Sequence, residues 1–121
     1  MSKSALSIRV FAYYLFGLGI LLMLVPNQFL SLFQIPETRE VWIRVVGMLV
    51  FILGYYYFMA SGKEMYNFYR WTVHGRLAVL CFLLAFVAFG FAPEVLILFG
   101  LVDASAALWT VYSLRNDVPD K

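Results

Sequence analysis

Three ionisable residues stand where charge is expensive: Asp103 inside the apolar run from Val95 to Leu114, Arg76 at the head of the run to Pro93, and Arg44 just before the run from Val45 to Gly62. A charge at the centre of a bilayer costs about 2.5–3.5 kcal/mol on insertion scales, and such a group normally faces the interior of a helix bundle beside a partner. At about 1.5 Å rise per residue, Arg76 and Arg44 enter from opposite ends and each comes within roughly 6–10 Å of the depth of Asp103. A long arginine side chain can span that gap. The expectation is therefore one buried polar cluster of Arg44, Arg76 and Asp103, with His74 and Tyr55 close to it.

Helical spacing points the same way. Gly100, Asp103, Ala107 and Thr110 recur at intervals of three and four, a small and polar stripe of the kind that lets helices approach in lipid. Arg44, Gly47, Phe51, Gly54 and Phe58 share another face, and Thr72, Arg76, Val79 and Leu83 a third. Two guanidiniums against one carboxylate leave one excess positive charge. A ligand there would present an anionic headgroup or a carboxylate, which guanidinium holds in bidentate fashion. The plainer alternative is a buried ion pair that fixes helix register and binds nothing.

The remaining reactive side chains are few. His74 reads as an interfacial residue with a wet tip, a proton relay being the alternative. Cys81 reads as a small apolar residue. In Tyr55-Tyr56-Tyr57, consecutive side chains point in different directions around a helix, so at least one ring faces inward. One histidine and one cysteine cannot build a multi-residue metal site, and a disulfide within the chain is excluded. No nucleotide loop, HExxH pattern or nucleophile elbow occurs, so neither metal nor cofactor is expected.

Composition supplies the setting. Of 121 residues, 64% are hydrophobic and 13% charged, with mean hydropathy +0.85, far to the apolar side of an ordinary soluble domain. The net charge of +2 is too small and too scattered for nucleic acid. Four continuously apolar runs, none alternating as strands would, predict an all-α membrane protein: one antiparallel bundle of four transmembrane helices at about 8–25, 41–61, 70–91 and 94–114. The first run lacks a small-x-small cleavage site and reads as a retained span. Between the first two, Phe29 to Phe33 predicts a short amphipathic turn or an apolar loop. Glu37 and Glu40 after Pro36, and Glu94 after Pro93, are placed in first helical turns.

With four spans, both termini and the middle loop share one side. That side carries Lys3, Arg9, Lys63, Arg70, Arg76, Arg115 and Lys121, against Arg39 and Arg44 opposite. The bias puts both termini in the cytoplasm. Tyr13, Tyr14, Trp42, Tyr66, Tyr69, Trp71, Trp109 and Tyr112 read as aromatic belts near the span ends.

The stretches Arg44-Val45-Val46-Gly47-Met48, Leu53-Gly54 and Phe99-Gly100-Leu101-Val102-Asp103 resemble the small bacterial four-helix membrane proteins of the broad DoxX-like kind. The resemblance implies a bacterial cytoplasmic (inner) membrane location. Some DoxX-like proteins are subunits of membrane oxidoreductases, but no matching cofactor ligands carry that activity over. The leading functional expectation is a binding or accessory protein for a lipid, a small amphiphile or a partner membrane protein, homo-oligomers included. Behind it stand a small proton-coupled transporter using Asp103, and a membrane enzyme with Asp103, His74 or Tyr55 as acid or base.

Overall fold

The computed structural model describes residues 1–117, and among these every regular element is helical. The order is α1 (Lys3–Leu24), α2 (Pro26–Ser31), α3 (Trp42–Ser61), α4 (Tyr66–Ala88), a 3-10 turn (Glu94–Leu96) and α5 (Ile97–Asp117). Four segments are long and apolar enough to cross a membrane: Lys3–Leu24, Trp42–Ser61, Tyr66–Ala88 and Glu94–Asp117. They coincide with the four apolar runs.

The ends differ from the hydropathy reading for local reasons. α1 starts earlier because Ser2 caps it: the Ser2 hydroxyl accepts the Ala5 N–H at 3.1 Å and its carbonyl accepts the Leu6 N–H at 3.0 Å. α4 starts at Tyr66, its first turn closing when the Tyr69 N–H reaches the Met65 carbonyl at 3.0 Å. It stops at Ala88 because Gly90 turns left-handed at φ +79°. There the Phe91 N–H returns to Phe86 and the Gly90 N–H to Val87, the paired bonds of a Schellman stop. Glu37 and Glu40 precede α3 and leave its first turn without an acid, whereas Glu94 does open the 3-10 turn after Pro93.

Contacts divide the chain into two compact units: Arg9–Met59, and Met1–Ile8 with the described residues of Ala60–Lys121. In the Arg9–Met59 unit, α1 and α3 run antiparallel and touch through glycine. A Cβ built on Gly19 would lie 2.7 Å from the Gly47 carbonyl oxygen, and one on Gly47 2.8 Å from that of Gly19. Further along the pair, a Cβ on Gly54 would meet Leu15 at 3.0 Å. Rings fill the flanks: Phe16 lies 4.9 Å from Phe51, and Phe11 lies 5.6 Å from Tyr57. Of the three consecutive tyrosines, Tyr57 is the buried one. Arg9 stacks its guanidinium 4.2 Å above the centre of the Phe58 ring.

Where an amphipathic turn or an apolar loop is expected lies the short helix α2, which buries Pro26 and Leu30. The loop behind it is pinned by Asn27, whose amide donates to the Thr38 carbonyl and accepts the Thr38 N–H, both at 2.9 Å.

In the other unit α4 and α5 pack antiparallel, with Gly100 against Leu80 and Leu83. Tyr69, expected in the aromatic belt, is fully buried instead. Its hydroxyl donates at 2.8 Å to the Ala60 carbonyl near the end of α3, which also accepts the Lys63 N–H at 3.0 Å.

The glycine contact makes a testable demand. Gly47→Ala should destabilise the protein by about 1–3 kcal/mol, because backbone rather than a flexible side chain must yield. Gly17→Ala, whose added Cβ meets nothing within 4 Å, should be neutral or slightly stabilising. Denaturant unfolding in micelles reads both, and equal stabilities would contradict the close approach.

Candidate functional site

Arg76 is the most deeply buried charge among the described residues, 2% exposed on α4. Its neighbours are built to receive a guanidinium. Thr72 stands one turn earlier on the same face. Arg76 Nε donates to the Thr72 carbonyl at 3.2 Å, and Nη2 donates to the Thr72 hydroxyl at 3.0 Å. The same Nη2 donates across to the Thr110 hydroxyl of α5 at 3.0 Å.

The network continues into the start of α1. Thr110 Oγ1 lies 2.8 Å from Ser7 Oγ, and Ser7 donates to the Ser4 carbonyl at 2.7 Å. Thr110 Oγ1 accepts from the guanidinium, and its single hydrogen has both Ser7 Oγ at 2.8 Å and the Ala106 carbonyl at 3.2 Å within reach. Ser4, Ser7, Thr72 and Thr110 are all buried, so these hydroxyls take the place that water would hold on a surface.

The sequence-predicted residues fall as follows. Asp103 is half-buried on α5, on the same face as buried Gly100, Ala107 and Thr110, and within electrostatic reach of Arg76. His74 is exposed on α4. Arg44 and Tyr55 belong to the Arg9–Met59 unit. Arg44 is exposed there and donates from Nη1 to the Met23 carbonyl at the end of α1, where a cation suits the helix dipole. Tyr55 is 51% exposed, its ring 5.9 Å from that of Tyr56.

Sequence reasoning missed the more open feature. Between the first turns of α4 and the last turns of α5 runs a groove of about 260 Å³, lined by Arg70, Val73 and His74 on one side and Val111, Leu114 and Arg115 on the other. Arg70 and His74 are four apart, as are Val111 and Arg115, so each pair stacks on one helix face. Arg70 is held by Asn67, whose carbonyl oxygen accepts from Nη1 at 2.9 Å. The Arg70 Nε is buried and has no hydrogen-bond partner among the described residues. In the sequence Arg70 and Arg115 signal only topology. The available cue was that antiparallel α4 and α5 bring Arg70 and His74 on one wall opposite Arg115 on the other. No family model, curated protein or solved structure matches the chain.

The same unit fastens the start of α1 with two carboxylates. Asp117 accepts the Ser4 N–H at 2.7 Å. Glu64, itself left-handed at φ 52°, accepts the Ser2 N–H at 3.0 Å and the Ser2 hydroxyl at 2.5 Å. The Ser2 hydroxyl, and then the Ser2 N–H, hold the Glu64 carboxyl below its usual value. A depressed carboxyl adds stability above its unfolded pKa and loses it as pH falls through the folded one. In an NMR titration, Glu64 should therefore show a midpoint below the peptide value of about 4.3, and Ser2→Ala should move it upward. A midpoint at or above that value in the wild type would contradict the clamp.

Proposed function

We propose that this chain is an integral membrane protein, an antiparallel bundle of four spans with both termini cytoplasmic, that acts as a binding or accessory protein for an anionic amphiphile. Two features support its placement in lipid. The four long helices carry large apolar side chains outward, among them Leu49, Phe82 and Leu108. An aqueous surface would not be so uniformly apolar on every long helix. In sequence the basic residues are also concentrated in the terminal segments and around the α3–α4 loop, the segments that the positive-inside rule assigns to the cytoplasm.

The observation that carries the binding reading is the cation-walled, apolar-floored groove between α4 and α5, backed by the buried guanidinium of Arg76. Val73 and Arg76 are three residues apart on α4, so the buried charge neighbours a groove-lining residue along one helix face. In a medium of low dielectric its field is weakly screened. Such a groove attracts an anion with a hydrocarbon part and repels cations. The Arg76, Thr72, Thr110 and Ser7 network holds the two walls together. This revises the composition of the proposed site: Arg76 and His74 stay, Asp103 acts as a nearby counter-charge, and Arg70 and Arg115 enter.

Native mass spectrometry of protein released from its own membrane tests the reading. Wild type should carry an anionic amphiphile through delipidating detergent. Arg76→Met, which keeps the apolar stem and removes the charge, should carry much less. Wild type that emerges bare would overturn the proposal.

A further inference from the structure

We infer that the groove is a headgroup site for an anionic glycerophospholipid of the cytoplasmic leaflet, with Arg70 and Arg115 gripping the phosphodiester and His74 donating a third hydrogen bond. This rests on the binding function proposed above and names its ligand.

Four observations point to that chemistry. First, charge is one-sided: two guanidiniums and an imidazole line the groove, and no acidic side chain lines it among the described residues. Second, a donor is unused: the Arg70 Nε–H is buried without a partner while Asn67 holds the other side of the guanidinium. Guanidinium geometry suits a phosphate or a carboxylate, each of which takes two parallel N–H donors. Third, the floor is apolar: Val73, Val111 and Leu114 can take glycerol and the first acyl carbons but offer an inorganic ion no hydrogen bonds. Fourth, depth is right. The groove spans the first turns of α4 and the last turns of α5, with Trp71 and Tyr112 strongly exposed beside it, where headgroups and aromatic belts meet. Of anions with this shape, a phospholipid is the one a membrane supplies at that depth. Its phosphodiester presents two unbridged oxygens, enough for both guanidiniums, and a neutral imidazole still donates one N–H.

The test uses the full chain in detergent, titrated with dioleoyl phosphatidylglycerol, dioleoyl phosphatidylcholine or inorganic phosphate and read by native mass spectrometry. Wild type should retain phosphatidylglycerol well over phosphatidylcholine. Arg70→Gln with Arg115→Gln should weaken phosphatidylglycerol roughly thirtyfold, about fivefold per guanidinium, and remove its advantage over phosphatidylcholine. Helix content by circular dichroism checks the double variant's fold. If that variant fails to fold, Arg115→Gln alone, at an exposed position, should still cost about fivefold. The inference is overturned if wild type retains both lipids equally. It is equally overturned if the folded variants keep the full preference, or if millimolar inorganic phosphate displaces the lipid. Should native-membrane protein carry an amphiphile that these variants still hold, the binding function stands and this headgroup assignment alone falls.

Discussion

A guanidinium enclosed among apolar helices must find acceptors within reach, and that requirement organises the α4–α5 unit. Water cannot supply them where Arg76 lies. The chain supplies them from three places: a threonine one turn back on the same helix, a threonine on the facing helix, and through it a serine at the start of α1. Each of those hydroxyls is buried and short, so each is useful only if its helix comes close. The charge thus sets the spacing and register of the segments around it. A carboxylate partner in direct contact would fix one point; hydroxyls on two helices fix a line.

The consequence for function is positional. Once Arg76 locks α4 to α5, Val73 and His74 on one helix face Val111 and Leu114 on the other across a groove. Arg70 and Arg115 line the same groove. The buried charge and the groove are one construction, with the interior arginine serving the exterior site as support and as a field source. Asp103 lies nearer the middle of α5 and is not among the groove-lining residues.

Much of this was legible in the chain itself. Four apolar runs gave four long helices, and Gly47, Gly54 and Gly100 stand where helices touch, as their spacing with bulky neighbours demanded. The Arg44-Val45-Val46-Gly47 stretch is also where α3 meets α1. Helix ends were less legible, because hydropathy does not register a serine cap at Ser2 or the aromatic and polar first turn of α4. The Arg76 network was half visible: Thr72 and Thr110 were placed on the correct faces, but as packing rather than as ligands of the arginine. Tyr69 resembles a belt residue in composition and is a core residue in fact, a difference decided by one carbonyl at Ala60. The groove was not legible, since its walls are far apart in sequence and only an antiparallel pair brings residues 70–74 beside 111–115.

A double-mutant cycle between Arg76 and Thr110 tests the central claim most directly. Arg76→Met, Thr110→Val and the combined variant would be compared with wild type by equilibrium unfolding in micelles. The network predicts a coupling energy of about 1–2 kcal/mol, as for a buried hydrogen bond to a charged group. Single-variant losses that add to within about 0.3 kcal/mol would mean the two side chains act independently, contradicting the lock between α4 and α5.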